Sequence, residues 1–262
     1  MGRWGLRIAA GLGFVFLYVP IIVIGLYAFN AQRIQAWPIA SYSTKWFEAA
    51  IANDAVKSAL GLSLAVALGA TLTALLLGSL AAFAVHRFRF FGRDTISFAL
   101  VLPIALPGIV TGMALNSTIN TIGISFSLLT VIVGHATFCI VVVYNNVVAR
   151  LRRSSRSIEE ASMDLGADTW QTFRHITFPV IRTALLAGGL LAFALSFDEI
   201  IVTTFTAGTQ ETLPIWILSN LSRPNQRPIV NVVAVVLILL SAVPVYLAAR
   251  LSSSTGVGGG RT

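Results

Sequence analysis

Charged side chains are scarce in this sequence. Asp, Glu, Lys and Arg make up 11% of its 262 residues, where a soluble domain carries about a quarter. So few ions cannot cover a globular surface of that size, which excludes a soluble enzyme. Disordered, collagen-like and disulfide-rich secreted chains are excluded as well. Cysteine is rarer still: Cys139 stands alone, so no internal disulfide can form. His86, His135 and His175 are the only histidines and lie far apart, without metal-ligand spacing. His135 and Cys139, one helical turn apart, read as core rather than as a metal site. No Gly-x-x-x-x-Gly-Lys-Ser/Thr loop occurs, so the chain does not hydrolyse ATP itself.

Apolar residues fill the space left by charge. They are 56% of the chain, and the mean hydropathy is +0.84. A helix needs about 20 apolar residues to cross the hydrocarbon core. Six segments meet that length: 8–29, 58–85, 96–118, 125–149, 180–205 and 229–249. The expectation is an all-α polytopic membrane protein with six transmembrane helices. The first apolar run is too long for a signal-peptide core and reads as a retained helix. One transmembrane domain is expected over 1–250, followed by a Ser/Gly-rich, disordered tail over 251–262.

The net charge of +8 is a topology signal. Thirteen of the Lys and Arg residues fall at the N-terminus, in the second-to-third and fourth-to-fifth loops, and in the tail; five fall on the opposite side. The acids divide five and five. The excess of basic residues places both termini in the cytoplasm. No basic, aromatic-lined groove pattern appears, so nucleic acid is not an expected partner. The run Arg150 to Arg156 reads as an anchor touching anionic membrane lipid, with contact to a partner protein as the alternative.

The loop between the fourth and fifth segments has structure of its own. Ser157 and Glu160 have capping-box spacing, and Glu159 and Glu160 sit where a helix dipole favours carboxylates. Ile158, Ala161, Ser162 and Leu165 share one face of a short helix. Gly166 stands where a C′ glycine would end it. Asp168 and Gln171 repeat the capping spacing for a second short helix carrying Trp170, Phe173 and Ile176. Two capped helices joined at a glycine form a surface suited to docking; the alternative is an interfacial helix lying on lipid headgroups, which suits Trp170 and Arg174 but not the Glu159-Glu160 pair or the glycine.

These residues carry a resemblance. Glu160-Ala161-Ser162, three residues, Gly166, nine residues, Ile176, two residues and Pro179 resembles the EAA motif of ABC importer permeases. Ser162 replaces the family's second Ala and Phe178 its Leu; the spacing is kept throughout. Three further stretches resemble permeases of the spermidine/putrescine type: Ser196–Phe205, Leu102–Gly112 and Leu213–Trp216. The likeness covers nearly the whole chain and is weakest in the first helix. It implies a type I ABC importer permease fold in a bacterial inner membrane. It also implies partners: an ABC ATPase dimer that binds ATP and Mg, a second related permease and an extracytoplasmic substrate-binding protein. No cofactor is expected in this chain.

By the same likeness, Glu159, Glu160, Ala161, Ser162, Leu165, Gly166 and Arg174 are candidates for coupling to the ATPase. Candidates for the substrate pathway are Phe197, Asp198, Glu199, Thr203, Pro107 and Asn116. Asp198 and Glu199 matter most, because carboxylates at the end of a span can neutralise a cation such as a polyamine. The alternative is that they cap the next segment or pair with Arg223 or Arg227. Pro103 and Pro107 each remove a backbone hydrogen bond from the third segment, giving either a broken helix beside the path or a tolerated kink. Gly188 and Gly189 are expected to allow close helix packing, with a gate as the alternative. Rival readings are importers of 4-aminobutyrate, an opine, ferric iron or a thiamine-like compound. A secondary transporter would need ionisable residues at mid-span, and a membrane enzyme a cluster of His, Asp or Glu. Neither pattern occurs.

Overall fold

The computed structural model describes residues 3–254. The Ser/Gly-rich end expected to be disordered lies outside the described residues from 255 onward. Among the described residues the chain is helical, with one isolated bridge between Asn30 and Tyr42. Five helical stretches are long and apolar enough to cross a membrane: Trp4–Ala28, Asp54–Arg87, Leu128–Arg153, Thr169–Phe197 and Arg227–Leu251. Two further helices, α4 (Arg93–Ala105) and α5 (Gly108–Thr121), meet that criterion only together and are bent by 105° at their junction, the form of a broken span or a re-entrant loop. The multi-pass, all-α architecture therefore agrees with the sequence expectation.

Two expected spans differ in form. The segment 96–118 is broken rather than continuous. Pro107 disfavours helical geometry at the residue before it, and Leu106 is extended at φ −81°, ψ 147°. Pro103 stays inside α4 without ending it. The segment 180–205 also divides: α9 (Phe178–Phe197) stops before Asp198, and a separate helix, α10 (Ile201–Thr206), follows.

The chain forms two compact units, 3–61 with 213–240, and 62–212 with 241–254. The first holds α1 (Arg3–Ala28), α2 (Lys45–Ala52), the start of α3 (Asp54–Arg87), α11 (Leu213–Leu221) and the first half of α12 (Arg227–Ser254). Trp46 Nε1 donates to the Asn30 carbonyl at 2.8 Å, and the Phe29 and Phe47 rings lie 4.9 Å apart. These contacts pin α2 beneath the end of α1. From Trp4 to Val23 every residue of α1 is exposed.

The second unit is built around α6 (Leu128–Arg153) and α9. Its core joins Ala70, Ala74 and Val85 of α3 to Val143, Val147 and Leu151 of α6 and Ile181 and Ala192 of α9. Glycines set the spacing. A β-carbon at Gly188 would lie 3.3 Å from the Val143 backbone, and one at Gly189 would lie 3.3 Å from Leu75. At Gly112 it would meet the Phe205 ring at 2.5 Å, so α5 and α10 approach closely. The expected packing role of Gly188 and Gly189 is thus visible in the backbone spacing.

Candidate functional site

The loop after α6 forms α7 (Arg156–Asp164), α8 (Thr169–Thr172) and a π-helical segment, Phe173–Thr177, that runs into α9. Its caps follow local chemistry. Ser155, two residues earlier than the sequence spacing suggested, caps α7 by accepting from Ser157 N. Glu160 instead pairs with Arg156 one turn back, at 3.2 Å and largely exposed. Asp168 and Gln171 form the expected capping box on α8, at 2.8 and 2.9 Å. Gly166 has φ +92°. Its N–H donates to Met163 O at 2.9 Å and that of Ala167 to Ser162 O at 3.1 Å, the paired bonds of a glycine-terminated helix.

The two faces of α7 differ in character. Ile158, Ala161, Leu165 and Glu160 are exposed, as are Trp170 and Arg174 beyond it, with Leu165 at 90%. The apolar side chains Ile158 and Leu165 are thus displayed on the outer side of this short helix. Glu159 and Ser162 point the other way. Thr177 Oγ1 donates to Glu159 Oε1 at 2.6 Å, and Arg87 Nη2 lies 3.4 Å from Glu159 Oε2. Ser162 Oγ meets Thr172 Oγ1 at 3.3 Å. The sequence pattern puts Ser162 on one face with Ile158, Ala161 and Leu165; in the structure it faces inward with Glu159.

The second region is the break between α9 and α10. Asp198 is exposed and forms no ion pair among the described residues. Glu199 is half-buried, and its Oε1 accepts from Val202 N at 3.0 Å, so it caps α10. Phe197 is buried and stacked on Phe193 at 5.7 Å. Thr203 is fully buried. His135, on α6, bridges the break: Nδ1 is 2.7 Å from Ser196 Oγ and Nε2 is 2.8 Å from Thr203 Oγ1. Thr203 already donates its proton to Glu199 O at 2.8 Å. Nε2 therefore donates to Thr203, and Nδ1 accepts from Ser196. Cys139, one turn along, donates to Ala192 O at 3.3 Å.

The third region is the α4–α5 bend. Pro107 precedes α5 at φ −56°. Asn116 donates from Nδ2 to Phe205 O at 2.6 Å, and its Oδ1 accepts from Asn120 at 2.9 Å. Asn116 thereby ties α5 to α10.

The structure brings Asp198, Glu199, Phe197 and Thr203 to one break. Of these, only Asp198 is exposed. Sequence reading missed Arg87, Thr177, Ser196 and the bridging role of His135. Each is an ordinary helix residue in sequence, and only its partner across the fold distinguishes it.

The family model for the binding-protein-dependent transport system inner membrane component matches residues 74–256. The putrescine transport system permease protein PotI of Escherichia coli (strain K12) is 36% identical over 252 residues, covering 91% of this chain and 89% of that protein. The spermidine/putrescine transport system permease protein PotC of the same strain is 34% identical over 234 residues, 88% of each chain. Among solved structures, a bacterial ABC transporter involved in import of the acidic polysaccharide alginate matches with a TM-score of 0.70. Its identity is 15%, over 96% of this chain and 94% of that one.

Proposed function

Because the chain belongs to the binding-protein-dependent transport system inner membrane component family, we propose that it is the permease subunit of an ATP-driven importer of polyamines. It is a transport subunit, not an enzyme, in a multi-pass inner-membrane location. The family implies an ATPase that uses ATP and Mg, and a substrate-binding protein. A second, related permease completes the pore, and the ATPase acts as a pair. Residues 1–250 form the permease domain, with both termini cytoplasmic. The observation that carries the polyamine reading is extensive identity to permeases named for putrescine and spermidine. One exposed carboxylate at the α9–α10 break supports it.

The mechanism follows from two surfaces. The apolar face of α7, Ile158, Ala161 and Leu165, docks on the ATPase. Closure of the ATPase pair pushes α7, and α6 and α9, which flank it in sequence, tilt to alternate access. At the break, the Asp198 carboxylate offsets part of the cost of stripping water from a multiply charged amine. Selectivity rests mainly on the binding protein.

The test is reconstitution of the whole complex in lipid vesicles with its ATPase, partner permease and binding protein. Radiolabelled putrescine should accumulate inside, and only with ATP. Failure of the chain to co-purify with an ATPase, or ATP-independent uptake, would refute the assignment. Uptake of a different solute with no response to any polyamine would refute the substrate class alone.

A further inference from the structure

Glu159 stands in the first turn of the helix that presents the docking face, yet its carboxylate is turned toward its own chain. Its side chain is 20% exposed and that of Arg87 31%. The neighbouring Arg156–Glu160 pair is 70% and 62% exposed. An exposed pair of that kind contributes little, whereas removing one partner of a pair withdrawn from water leaves the other charge uncompensated and costs more. The two oxygens of Glu159 also take different partners. Oε1 accepts from Thr177, the last residue of the π-helical segment leading into α9. Oε2 faces Arg87, the last residue of α3. Thr177 is buried, so its hydroxyl has no water to fall back on.

The mechanical need for such a contact is visible in the chain. α7 has nine residues. It is joined to α6 through Ser154 and Ser155, and to α8 through a turn at Gly166. A push on Ile158 or Leu165 would rotate so short a helix about its two ends unless its inner face were held. Ser162 with Thr172 holds it only to the adjacent α8. Glu159 holds it to two membrane helices at once. Phe173 reinforces the second of these by packing on Phe83 of α3, with ring centroids 5.9 Å apart.

We propose that Glu159 is a positioning residue that transmits movement of α7 to α3 and α9 through Arg87 and Thr177, and that it does not touch the ATPase. This assignment rests on the reading of the chain as an ATP-coupled permease. It separates two functions on one short helix: docking on the outer face and transmission on the inner one.

The experiment uses the complete reconstituted importer with E159Q, R87Q, the double variant E159Q/R87Q, and T177V. Two quantities are measured: ATPase retained on purification, and polyamine imported per ATP hydrolysed. Gln at 159 keeps an acceptor for Thr177 but removes the charge that holds Arg87. A charge-assisted contact of this kind corresponds to about a tenfold effect. E159Q and R87Q should each keep wild-type ATPase retention and lose about tenfold in import per ATP. The double variant should be no worse than either single one, since both remove the same contact. T177V should lower the ratio less. Loss of ATPase from the E159Q complex would make Glu159 a docking residue and overturn the proposal. So would full coupling in E159Q, or losses that multiply in the double variant. If the wild-type complex shows no ATP-linked uptake, the permease reading itself falls and takes this assignment with it, a failure distinct from the others.

Discussion

Asp198 and Glu199 are adjacent in sequence and alike in chemistry, but their surroundings divide their roles. Glu199 is used as an acceptor for Val202 N and caps α10, while Asp198 is left exposed at the end of α9. Removing charge at Asp198 should therefore matter more for a cation than removing it at Glu199. Asp198→Asn is expected to lower putrescine uptake by about tenfold or more, because the neighbouring Glu199 is half-buried and held to the α10 cap through Oε1. Glu199→Gln keeps the capping acceptor and should stay near the wild-type rate. Uptake assays on both variants decide this, and the reverse ranking would sink the role of Asp198. His135 makes a different prediction. His135→Leu leaves the buried Ser196 hydroxyl without its partner, at a cost of about 1–3 kcal/mol. The purified variant should melt several degrees lower in a thermal-unfolding assay, and an unchanged melting temperature would show that Ser196 finds another partner.

At the scale of elements, the informative features are places where helices stop. α4 and α5 part at Leu106–Pro107 because proline removes a donor and biases the residue before it. α9 and α10 part at Asp198–Ile200, and α7 ends at a glycine with φ +92°. A side chain at Gly166 has open space around it, so the penalty there is conformational, about 1–2 kcal/mol. Gly166→Val should consequently fray the end of α7 and weaken ATPase docking. Leu165→Glu tests the same surface without that strain, since Leu165 is 90% exposed. Both variants should reach the membrane in normal amount, and both should retain less ATPase on co-purification. Normal retention in Leu165→Glu would remove the apolar face of α7 from the docking surface.

At the scale of the whole molecule, the distribution of arginine is the governing feature. The basic ends of α3, α6 and the 4–5 loop are expected in the cytoplasm, with 30–57 and 206–228 outside. Single cysteines at Ser43 and Ser154, in a Cys139→Ala background, check this orientation. Ser43→Cys should react with a membrane-impermeant thiol reagent added to intact cells, and Ser154→Cys should not. Labelling of Ser154→Cys from outside would invert the topology. The exposed surface of α1 from Trp4 to Val23 belongs to this scale too. A helix that is apolar all round and exposed over this length suits a lipid surrounding.

Much of this protein was determined by sequence alone. Hydrophobic length set the spans, because hydrocarbon thickness is a fixed requirement that local composition either meets or does not. The caps at Asp168 and the stop at Gly166 were legible for a similar reason: they depend on residues within one turn of each other. The cap on α7 was misplaced by two residues, since Ser155 and Ser157 offer the same chemistry and only the backbone selects one. The break at Pro107 was legible as an alternative, but its 105° angle was not, because a proline permits a bend whose size is set by what packs on either side. Tertiary structure alone decided which of two adjacent carboxylates is exposed, which face of α7 turns inward, and that His135 links Ser196 to Thr203 across 61 and 68 residues of chain. These depend on hydrogen bonds between residues distant in sequence, and no local pattern specifies the partner of a buried polar group.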